Sequence, residues 1–311
     1  MRPGAVDVDL GPGASVAVLD VGGTEIKSSV LDGGGRLCPV VHSPTPRGAD
    51  VVDRVVDAVA AHVELARASH PDLGAVGLVV PGIVDPERGR AVFSENLGWR
   101  DVPFPDLVAA RTLLPVGFGH DVATAGRAEL ELGAALGARD AAVIIVGTGI
   151  AAASFVDGSP LLAHGWAGEL GHSVVDPAGP ECVCGARGCL EAIASTAAIA
   201  RRYAAATGTT VPGSREVLAL AEAGDPAARG VWDGAVAALA AGIRQLAAIT
   251  SPELVVLGGG LSRAGDALFA PLAQALARTV PPHRVPVLRP AAIGAYAGLV
   301  GAALLGREAS R

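Results

Sequence analysis

The chain has 311 residues, with 50% hydrophobic and 3% aromatic residues and a formal net charge of −7. This length predicts about two lobes, and an acidic balance without a basic stripe predicts no nucleic-acid partner. The most apolar window, residues 235–250, contains Arg244 and Gln245 and is shorter than the roughly 20 residues of a membrane span. The start of the chain lacks a basic and then apolar leader, so we expect a soluble, cytoplasmic protein without a membrane partner.

The sequence after residue 14 predicts two strands joined by a glycine turn. Residues 1–14 are rich in Gly and Pro, and we expect them to fray. The following stretch, residues 15–32, has two apolar runs on either side of Gly22-Gly23-Thr24, which is typical of a hairpin.

This turn has the residues of a phosphate site. Glycine and threonine offer backbone N–H groups and a hydroxyl to a phosphate, which suggests Gly22, Gly23 and Thr24. Asp20 would reach a phosphate-bound Mg²⁺, and Lys27, the only lysine in the chain, would add positive charge. A plain β-hairpin explains the same residues equally well.

The next segment alternates helix, strand and loop. Residues 50–69 have apolar side chains at the 3.6-residue spacing of a helix, and a buried strand over residues 75–80 ends at Pro81-Gly82. Such strand ends often border the cleft of α/β folds. In the loop that follows, Asn96 has an amide that donates and accepts at once, as a sugar hydroxyl requires. An ordinary turn beside a packed Trp99 is the alternative.

A strand over residues 114–118 leads through His120 and Asp121 into an Ala-rich helix over residues 122–136. Asp121 therefore follows a strand and precedes a helix. It is either the helix N-cap, a common role for Asp, or a general base at the carboxyl end of the strand. The local sequence favours the cap.

The hairpin pattern recurs later in the chain. A strand over residues 142–146 leads into Gly147-Thr148-Gly149 and a second strand at residues 151–153. Two such units suggest a duplicated fold whose turns face each other across a cleft and each bind one end of a polyphosphate. The strand at residues 254–257 ends at Gly258–Gly260, where backbone would pack on a purine ring. Helices are predicted at residues 195–203, 216–223, 227–249, 265–279 and 292–305.

The cysteines indicate a metal site. Cys182, Cys184 and Cys189 lie within eight residues, and His172 lies ten residues before the first of them. Three thiols and one imidazole suit a closed, structural zinc site, and clustered cysteines in a chain without a leader indicate metal ligands rather than disulfides. The alternative is three incidental cysteines in a loop.

These motifs together resemble the ROK family of sugar kinases over residues 15–305. The resemblance rests on LDVGGTEIKSSVLD, VVPGIVD, ENLGW, HDVATAGRAELELGAALG, VGTGI, AGELGH, C-x-C-G-x-x-G-C-L-E and VVLGGGLS, in this order. It implies the actin/hexokinase-like ATPase fold, with two ribonuclease H-like α/β lobes about a cleft and a structural zinc loop. The smaller lobe would hold residues 1–134 plus 293–311, the larger lobe residues 135–292, and the chain would form homodimers or homotetramers.

The resemblance also implies residue roles. Asp121 would be the catalytic base, which reverses the local preference for a cap. His172 would ligate zinc through one ring nitrogen and face the sugar with the other. The implied sugar-binding residues are Gly82, Asn96, His120, Asp121, Glu169, His172 and Glu191. The implied ATP-binding residues are Asp20, Gly22, Gly23, Thr24, Lys27, Gly147, Thr148, Gly149, Gly258, Gly259 and Gly260, with Mg²⁺ and structural Zn²⁺ as metals.

Two positions depart from the family pattern. His120 stands where the family usually has Asn, and Ala151–Ala153 stand where it commonly has glycines. The implied function is an ATP-dependent hexose kinase that converts glucose to glucose 6-phosphate. The alternatives are a kinase for N-acetylmannosamine, mannose, fructose or allose, or a catalytically silent sugar-binding sensor. A DNA-binding regulator is disfavoured because only about 14 residues precede the first strand.

Overall fold

The structure is a computed structural model that describes residues 8–278 and 284–311. Part of the stretch expected to fray, residues 1–7, lies outside the described residues, as does residue 279, the predicted end of a helix. In chain order the described elements are β1 (Ser15–Val21), β2 (Glu25–Leu31), β3 (Val41–Pro44), α1 (Val51–Ser69), β4 (Leu73–Val80), β5 (Ile83–Asp85), β6 (Arg90–Ser94), β7 (Trp99–Val102), α2 (Phe104–Thr112), β8 (Val116–His120), α3 (Asp121–Leu132), β9 (Ala141–Val146), β10 (Ile150–Val156), β11 (Ser159–Pro160), α4 (Leu190–Ala194), α5 (Thr196–Thr207), α6 (Ser214–Glu222), α7 (Pro226–Thr250), β12 (Leu254–Gly258), α8 (Asp266–Ala277), β13 (Val287–Pro290) and α9 (Ala297–Ala309).

These elements form two compact units. Unit 1 contains the described chain up to Leu132, the segment Leu162–Ala167 and the end of the chain from Ala295. Unit 2 contains Gly133–Leu161 and Gly168–Gly294. The expected division at residues 134 and 293 did not include the short segment 162–167, which packs with unit 1 although the chain on both sides of it belongs to unit 2.

Unit 1 is built on a mixed sheet with strand order β3-β2-β1-β4-β8. Its first two strands pair antiparallel across the Gly22 turn, whereas β1, β4 and β8 run parallel. Every residue of β1 is buried, as expected for a central strand covered on both faces. A second, antiparallel sheet of β5, β6 and β7 belongs to the same unit.

Unit 2 repeats this design. Its sheet has the order β11-β10-β9-β12-β13, with β9 and β10 antiparallel and β9, β12 and β13 parallel. The long helix α7 buries Leu239 and Ile243 in the core of this unit. Two mixed five-stranded sheets with the same strand order confirm the predicted fold class and its internal duplication.

Several predicted boundaries need correction. The helix expected over residues 122–136 ends at Leu132, and the helix expected from residue 292 begins only at Ala297. Gly294 has a φ of 73°, a left-handed conformation that suits glycine and does not continue an α-helix. Helix α2, strand β3 and the sheet of β5, β6 and β7 were not predicted from the sequence. Among the described residues, no helix combines the length and apolarity needed to cross a membrane.

The C-terminal helix α9 packs closely on the sheet of unit 1 because glycines stand at the contact. A Cβ added to Gly77 in β4 would lie 1.9 Å from the carbonyl oxygen of Ala302. A Cβ added to Gly117 in β8 would lie 2.2 Å from the carbonyl oxygen of Leu305. Both contacts are with backbone, which cannot rotate away as a side chain does.

We therefore expect Gly77→Ala to destabilise the protein by about 1–3 kcal/mol, the usual cost of overpacking a core. Gly230→Ala is the matched control, since Gly230 is an exposed helical residue with open space around its Cα. It should raise stability slightly, because alanine favours helix by up to about 1 kcal/mol over glycine. Urea denaturation of both variants checks this. Equal stability of Gly77→Ala and wild type would contradict the close contact.

Candidate functional site

The parallel strands of unit 1 bring three predicted site residues to one edge of its sheet. Strand β1 ends just after Asp20, β4 ends just before Pro81-Gly82, and β8 ends just before Asp121. The register pairs Asp20 with Val79 and Val80 with His120. The carboxyl ends of parallel strands are where ligands bind in open α/β sheets, so this edge is a candidate site.

Asp20 is a buried carboxylate with an unusual environment. Its Oδ2 lies 3.5 Å from the Lys27 ammonium nitrogen, and a Cβ added to Gly298 in α9 would lie 2.9 Å from the same oxygen. Burial raises the pKa of Asp20 to about 6, Lys27 partly opposes that rise, and the negative charge of Asp121 adds to it. The two carboxylates of this edge therefore interact electrostatically.

The glycine turn between β1 and β2 contacts the loop that holds Asn96. The Gly22 N–H donates to the carbonyl of Glu25 over 2.9 Å, and the Arg47 guanidinium donates to the Gly23 carbonyl. A Cβ added to Gly23 would lie 2.1 Å from the amide nitrogen of Asn96. The turn predicted for phosphate and the amide predicted for sugar are thus neighbours within unit 1, and Thr24 is exposed beside them.

Asp121 is the first residue of α3, and its side chain is fixed by local contacts. The Val122 N–H donates to its Oδ1 over 2.7 Å, and Nε2 of His120 lies 3.0 Å from the same oxygen. The Ala123 N–H donates to Nδ1 of His120 over 3.3 Å. Asp121 therefore accepts a hydrogen bond from the first turn of its helix while it remains partly exposed.

Gly82, in the same unit, adopts a φ of 100°. A Cβ there would lie 2.2 Å from the carbonyl oxygen of Phe93, so the chain passes closely over β6. This position requires glycine for both reasons.

The corresponding edge of unit 2 holds the second glycine turn. Thr196 donates to the Gly147 carbonyl over 2.8 Å through both its hydroxyl and its N–H. The Glu191 carboxylate accepts the Ile150 N–H at Oε2 over 2.8 Å, and a Cβ added to Gly149 would lie 2.6 Å from that oxygen. Glu191 therefore joins the cysteine loop to the turn of Gly147, Thr148 and Gly149. Ala151–Ala153 form part of β10, as expected for a strand that accepts alanine.

A cavity of about 520 Å³ lies within unit 2 near the third glycine segment. Gly259 has a φ of 83°, and a Cβ there would lie 2.4 Å from the Val146 carbonyl. Gly258 ends β12 and lies outside the cavity lining, whereas Gly260 is part of it. Leu261, Arg263 and Ala264 of the lining directly follow Gly260. The other lining residues were not predicted because they come from α5, α6, α7 and the residues just before α6, far from Gly260 in sequence: Thr196, Pro212, Gly213, Ser214, Arg215, Glu216, Leu218 and Trp232.

The three cysteines and the histidine come together as one cluster. Their ligand atoms all lie within 4.8 Å of one another. Nδ1 of His172 lies 3.6 Å from Sγ of Cys182, and Sγ of Cys184 lies 3.6 Å from Sγ of Cys189. With zinc–sulfur bonds of about 2.3 Å, tetrahedral ligands lie about 3.7 Å apart. The donor set and its spacing therefore fit zinc, and Gly185 and Gly188 both have positive φ.

The other side of His172 faces a carboxylate. Its Nε2 lies 3.7 Å from Oε2 of Glu169, and both side chains are about one-third exposed or more. Because Nδ1 faces the thiols, the two ring nitrogens have different neighbours. The expected contact of the second nitrogen with a sugar stays a prediction. The chain from Gly168 to Gly171 lies against β10, where a Cβ on Gly171 would be 2.2 Å from the Ile150 carbonyl.

A second group of possible ligands, Asp85, Glu87 and His164, lies in unit 1. Asp85 is buried, and its carboxylate lies 3.6 Å from Nδ1 of His164. The Arg88 N–H donates to one oxygen of Asp85, and its guanidinium lies 3.8 Å from the other. A side-chain cation therefore already accompanies this carboxylate.

Comparison with known proteins identifies the family. Residues 16–309 match the model of the ROK family. The chain belongs to the ROK family. A relative named glucokinase, from Halalkalibacterium halodurans, is 33% identical over 93% of this chain and 94% of its own length.

Two solved ROK structures have the same fold as this chain. The ROK hexokinase from Thermus thermophilus superimposes with a TM-score of 0.81 at 37% identity, covering 94% of this chain and 97% of its own. A ROK family glucokinase from Streptomyces griseus, solved in complex with glucose and AMPPNP, gives a TM-score of 0.80 at 32% identity. That match covers 94% of this chain and 99% of the other.

The raised pKa of Asp20 makes stability depend on pH. Between about pH 4 and about pH 6 the folded state retains a proton that an unfolded Asp releases, so the free energy of unfolding falls as pH rises. Asp20→Asn removes this fall. Relative to wild type, the variant should gain up to about 3 kcal/mol across that window.

Urea denaturation at several pH values between 4 and 7 measures this gain, with Asp233→Asn, an exposed helical residue of α7, as the control. The control should follow the wild-type curve. A constant difference between Asp20→Asn and wild type at all pH values would refute the linkage.

Proposed function

We propose that this chain is an ATP-dependent hexose kinase that transfers the γ-phosphoryl group to a sugar hydroxyl, most directly converting glucose to glucose 6-phosphate. The observation that carries the proposal is the edge of unit 1, where the parallel strands β1, β4 and β8 bring Asp20, Gly82 and Asp121 to one end of the sheet. A candidate base and a candidate phosphate site thus share one sheet edge. The named glucokinase relative and the Streptomyces griseus complex support the same reaction class.

In the proposed reaction Asp121 is the general base. Its Oδ1 accepts the Val122 N–H, so we assign Oδ2 to the acceptor hydroxyl. The sugar O–H gives its proton to Asp121 as its oxygen forms a bond to the γ-phosphorus, and the bond to the leaving ADP oxygen breaks. General-base assistance contributes roughly 10²–10⁴-fold, while positioning and charge stabilisation supply most of the remaining acceleration in phosphoryl transfer.

We assign the sugar hydroxyls to Glu169, His172 and Glu191 of unit 2, together with Gly82 and Asn96 of unit 1. Glu191 uses Oε2 to accept the Ile150 N–H, which leaves Oε1 for a hydroxyl. Carboxylates accept hydrogen bonds from hydroxyl groups, and an amide both donates and accepts. This set therefore suits a polyhydroxylated ligand.

We assign the ATP phosphates to the two glycine turns and the adenosine to the cavity of unit 2. The turn residues are Gly22, Gly23, Thr24, Gly147, Thr148 and Gly149. The cavity volume of about 520 Å³ lies in the range of small-molecule sites, and it is lined by Trp232 and Gly260, with Gly258 and Gly259 adjacent. Asp20 would hold a phosphate-bound Mg²⁺ and Lys27 would pair with phosphate, the Mg²⁺ supplying charge neutralisation at the transferred group.

We further propose that His172, Cys182, Cys184 and Cys189 bind one structural Zn²⁺. Four protein ligands leave no open position, so the metal would stabilise the loop rather than activate water. Because His172 also faces Glu169 and Glu191 follows Cys189 by two residues, the metal would hold the sugar-binding side chains in place.

A silent sugar-binding sensor is the second candidate, and the observation that favours it is His120 in place of the usual family Asn. Sugar binding without turnover would distinguish it. Kinases for N-acetylmannosamine, mannose, fructose or allose remain candidates within the same class.

A coupled assay with ATP, Mg²⁺ and a hexose panel tests the proposed reaction, and we expect glucose to be the best substrate. Asp121→Asn should reduce kcat by roughly 10²–10⁴-fold with little change in sugar affinity measured by calorimetry. Asp106→Asn, an exposed residue of α2, is the control and should retain wild-type rates. Tight sugar binding without turnover of any sugar would rule out the kinase function and favour the sensor.

Metal analysis tests the zinc proposal, and we expect about one zinc per chain. Cys184→Ser should lower zinc affinity at least tenfold and raise the KM for sugar more than the KM for ATP. Cys38→Ser is the matched control, since Cys38 is the cysteine outside the cluster. Equal zinc retention by both variants during chelator competition would show that the cluster is not the site.

A further inference from the structure

Three side chains with metal-ligating atoms lie together in unit 1. Asp85 ends β5, Glu87 lies between β5 and β6, and His164 belongs to the segment Leu162–Ala167. Their ligand atoms all lie within 4.8 Å of one another. Neither the proposed phosphoryl transfer nor the cysteine cluster uses these residues. They form a separate group of one imidazole and two carboxylates.

The backbone around His164 is held against β5. Ala163 and His164 have φ values of 45° and 54°, a left-handed conformation that is unfavourable for residues other than glycine. A Cβ added to the next residue, Gly165, would lie 2.1 Å from the carbonyl oxygen of Val84, so glycine is required for this close approach. The contact places the main chain beside Val84 and brings the His164 ring to Asp85.

The carboxylate of Asp85 has an oxygen that lacks a hydrogen-bond donor. Its side chain is only 4% exposed, and Oδ1 accepts the Arg88 N–H over 3.2 Å. No group of the described residues donates to Oδ2, since Nδ1 of His164 lies 3.6 Å away and Nε of Arg88 lies 3.8 Å away. Buried carboxylates are normally hydrogen-bonded at both oxygens, paired or bound to a metal. A cation beside Oδ2 supplies the missing partner.

The spacing of the three groups fits a shared metal better than hydrogen bonds. Nδ1 of His164 lies 3.6 Å from Oδ2 of Asp85 and 3.7 Å from Oε2 of Glu87. Hydrogen bonds are shorter, at about 2.7–3.2 Å, whereas two ligands of one metal with bonds of about 2.1 Å lie about 3.0–3.6 Å apart. The side chains of His164 and Glu87 are 67% and 73% exposed, so both are free to close the small difference.

Arg88 is the cation that competes for this position. Its guanidinium makes no hydrogen bond to Asp85, and its side chain is 78% exposed, so it is free to move into solvent when a metal binds. It also offsets one negative charge where Asp85 and Glu87 supply two.

We propose that Asp85, Glu87 and His164 bind one divalent transition-metal ion. Imidazole suits transition metals, whereas Mg²⁺ and Ca²⁺ prefer oxygen ligands alone, so the mixed set selects ions such as Mn²⁺ and, more tightly, Zn²⁺. The ion holds the segment Leu162–Ala167 to β5 within unit 1. This role does not depend on the proposed kinase function.

Electron paramagnetic resonance with Mn²⁺ as the probe tests the site in the full, nucleotide-free chain, because bound Mn²⁺ loses the sharp signal of the free ion. Excess Mg²⁺ is added to occupy sites made of oxygen alone. We expect wild type to bind about one Mn²⁺ per chain. His164→Ala and Glu87→Gln should each weaken binding at least tenfold, and both replace exposed side chains, so the fold should be retained.

Two substitutions elsewhere are matched controls. His42→Ala removes an exposed histidine that lies beside a single carboxylate, and Glu222→Gln changes an exposed residue of α6. Both should bind Mn²⁺ as wild type does. Equal Mn²⁺ binding by His164→Ala and wild type would overturn the site.

Arg88→Ala separates a metal site from a permanent ion pair. If Asp85 binds the metal, loss of the competing guanidinium should raise Mn²⁺ affinity about threefold or more, and wild type should bind the ion as well. If Arg88 is the permanent partner of Asp85, only Arg88→Ala will bind Mn²⁺, and that result would refute the proposal for the natural chain.

Thermal unfolding is a second readout that needs no turnover. Mn²⁺ at a concentration far above its Kd should raise the Tm of wild type but not that of His164→Ala, because a ligand stabilises the folded state that binds it. An equal rise in both proteins would place the ion at another site and would contradict the inference. A hexose panel without turnover would end the kinase proposal and leave this test unchanged.

Discussion

Parallel pairing of β1, β4 and β8 is the constraint on which the candidate chemistry of unit 1 depends. The register of these strands brings residues at or next to three strand ends to one edge of the sheet, so Asp20, Gly82 and Asp121 lie at the same edge although they are far apart in sequence. The strands are stabilised by apolar burial, and that burial raises the pKa of Asp20 to about 6. Lys27, paired with Asp20 across the hairpin, offsets part of this effect.

Unit 2 has the same strand order as unit 1, but different side chains lie at the edge of its sheet. Its turn after β9 carries no carboxylate at the position of Asp20, and Glu191 reaches the turn from the cysteine loop instead. One hydrogen bond therefore connects the end of the cysteine loop to the start of β10. A loop that holds a carboxylate at a defined backbone N–H benefits from a rigid support, and four ligands around the proposed zinc would provide it.

Local patterns predicted the hairpins, α1 and the long helix α7, because apolar periodicity and glycine turns act over a few residues. They also gave the cysteine cluster, where spacing alone brings the ligands together. The sheet of β5, β6 and β7 was missed since its strands are short and only partly buried. The cavity of unit 2 was missed because Trp232 and Glu216 come from helices far from Gly260 in sequence.

The side chain of Asp121 does not cap α3. A capping side chain accepts the second or third N–H of its helix, and Nδ1 of His120 makes that contact with Ala123. The Oδ1 of Asp121 accepts only the N–H of the next residue, Val122, so the capping role expected from the local sequence belongs to His120, and the base role of Asp121 stays a proposal.

The negative charge at this edge of the unit 1 sheet would oppose the binding of a nucleotide in the proposed function. Asp20 and Asp121 already repel each other, and a polyphosphate would add further negative charge beside them. Lys27 lies beside Asp20 and the Arg47 guanidinium donates to the Gly23 carbonyl, so the charge of both side chains is already partly neutralised within the hairpin. In the proposed function, a divalent cation bound with the phosphate would offset this repulsion and favour the ionised form of Asp20. Binding of nucleotide to this edge should therefore require the cation more strongly than sugar binding does.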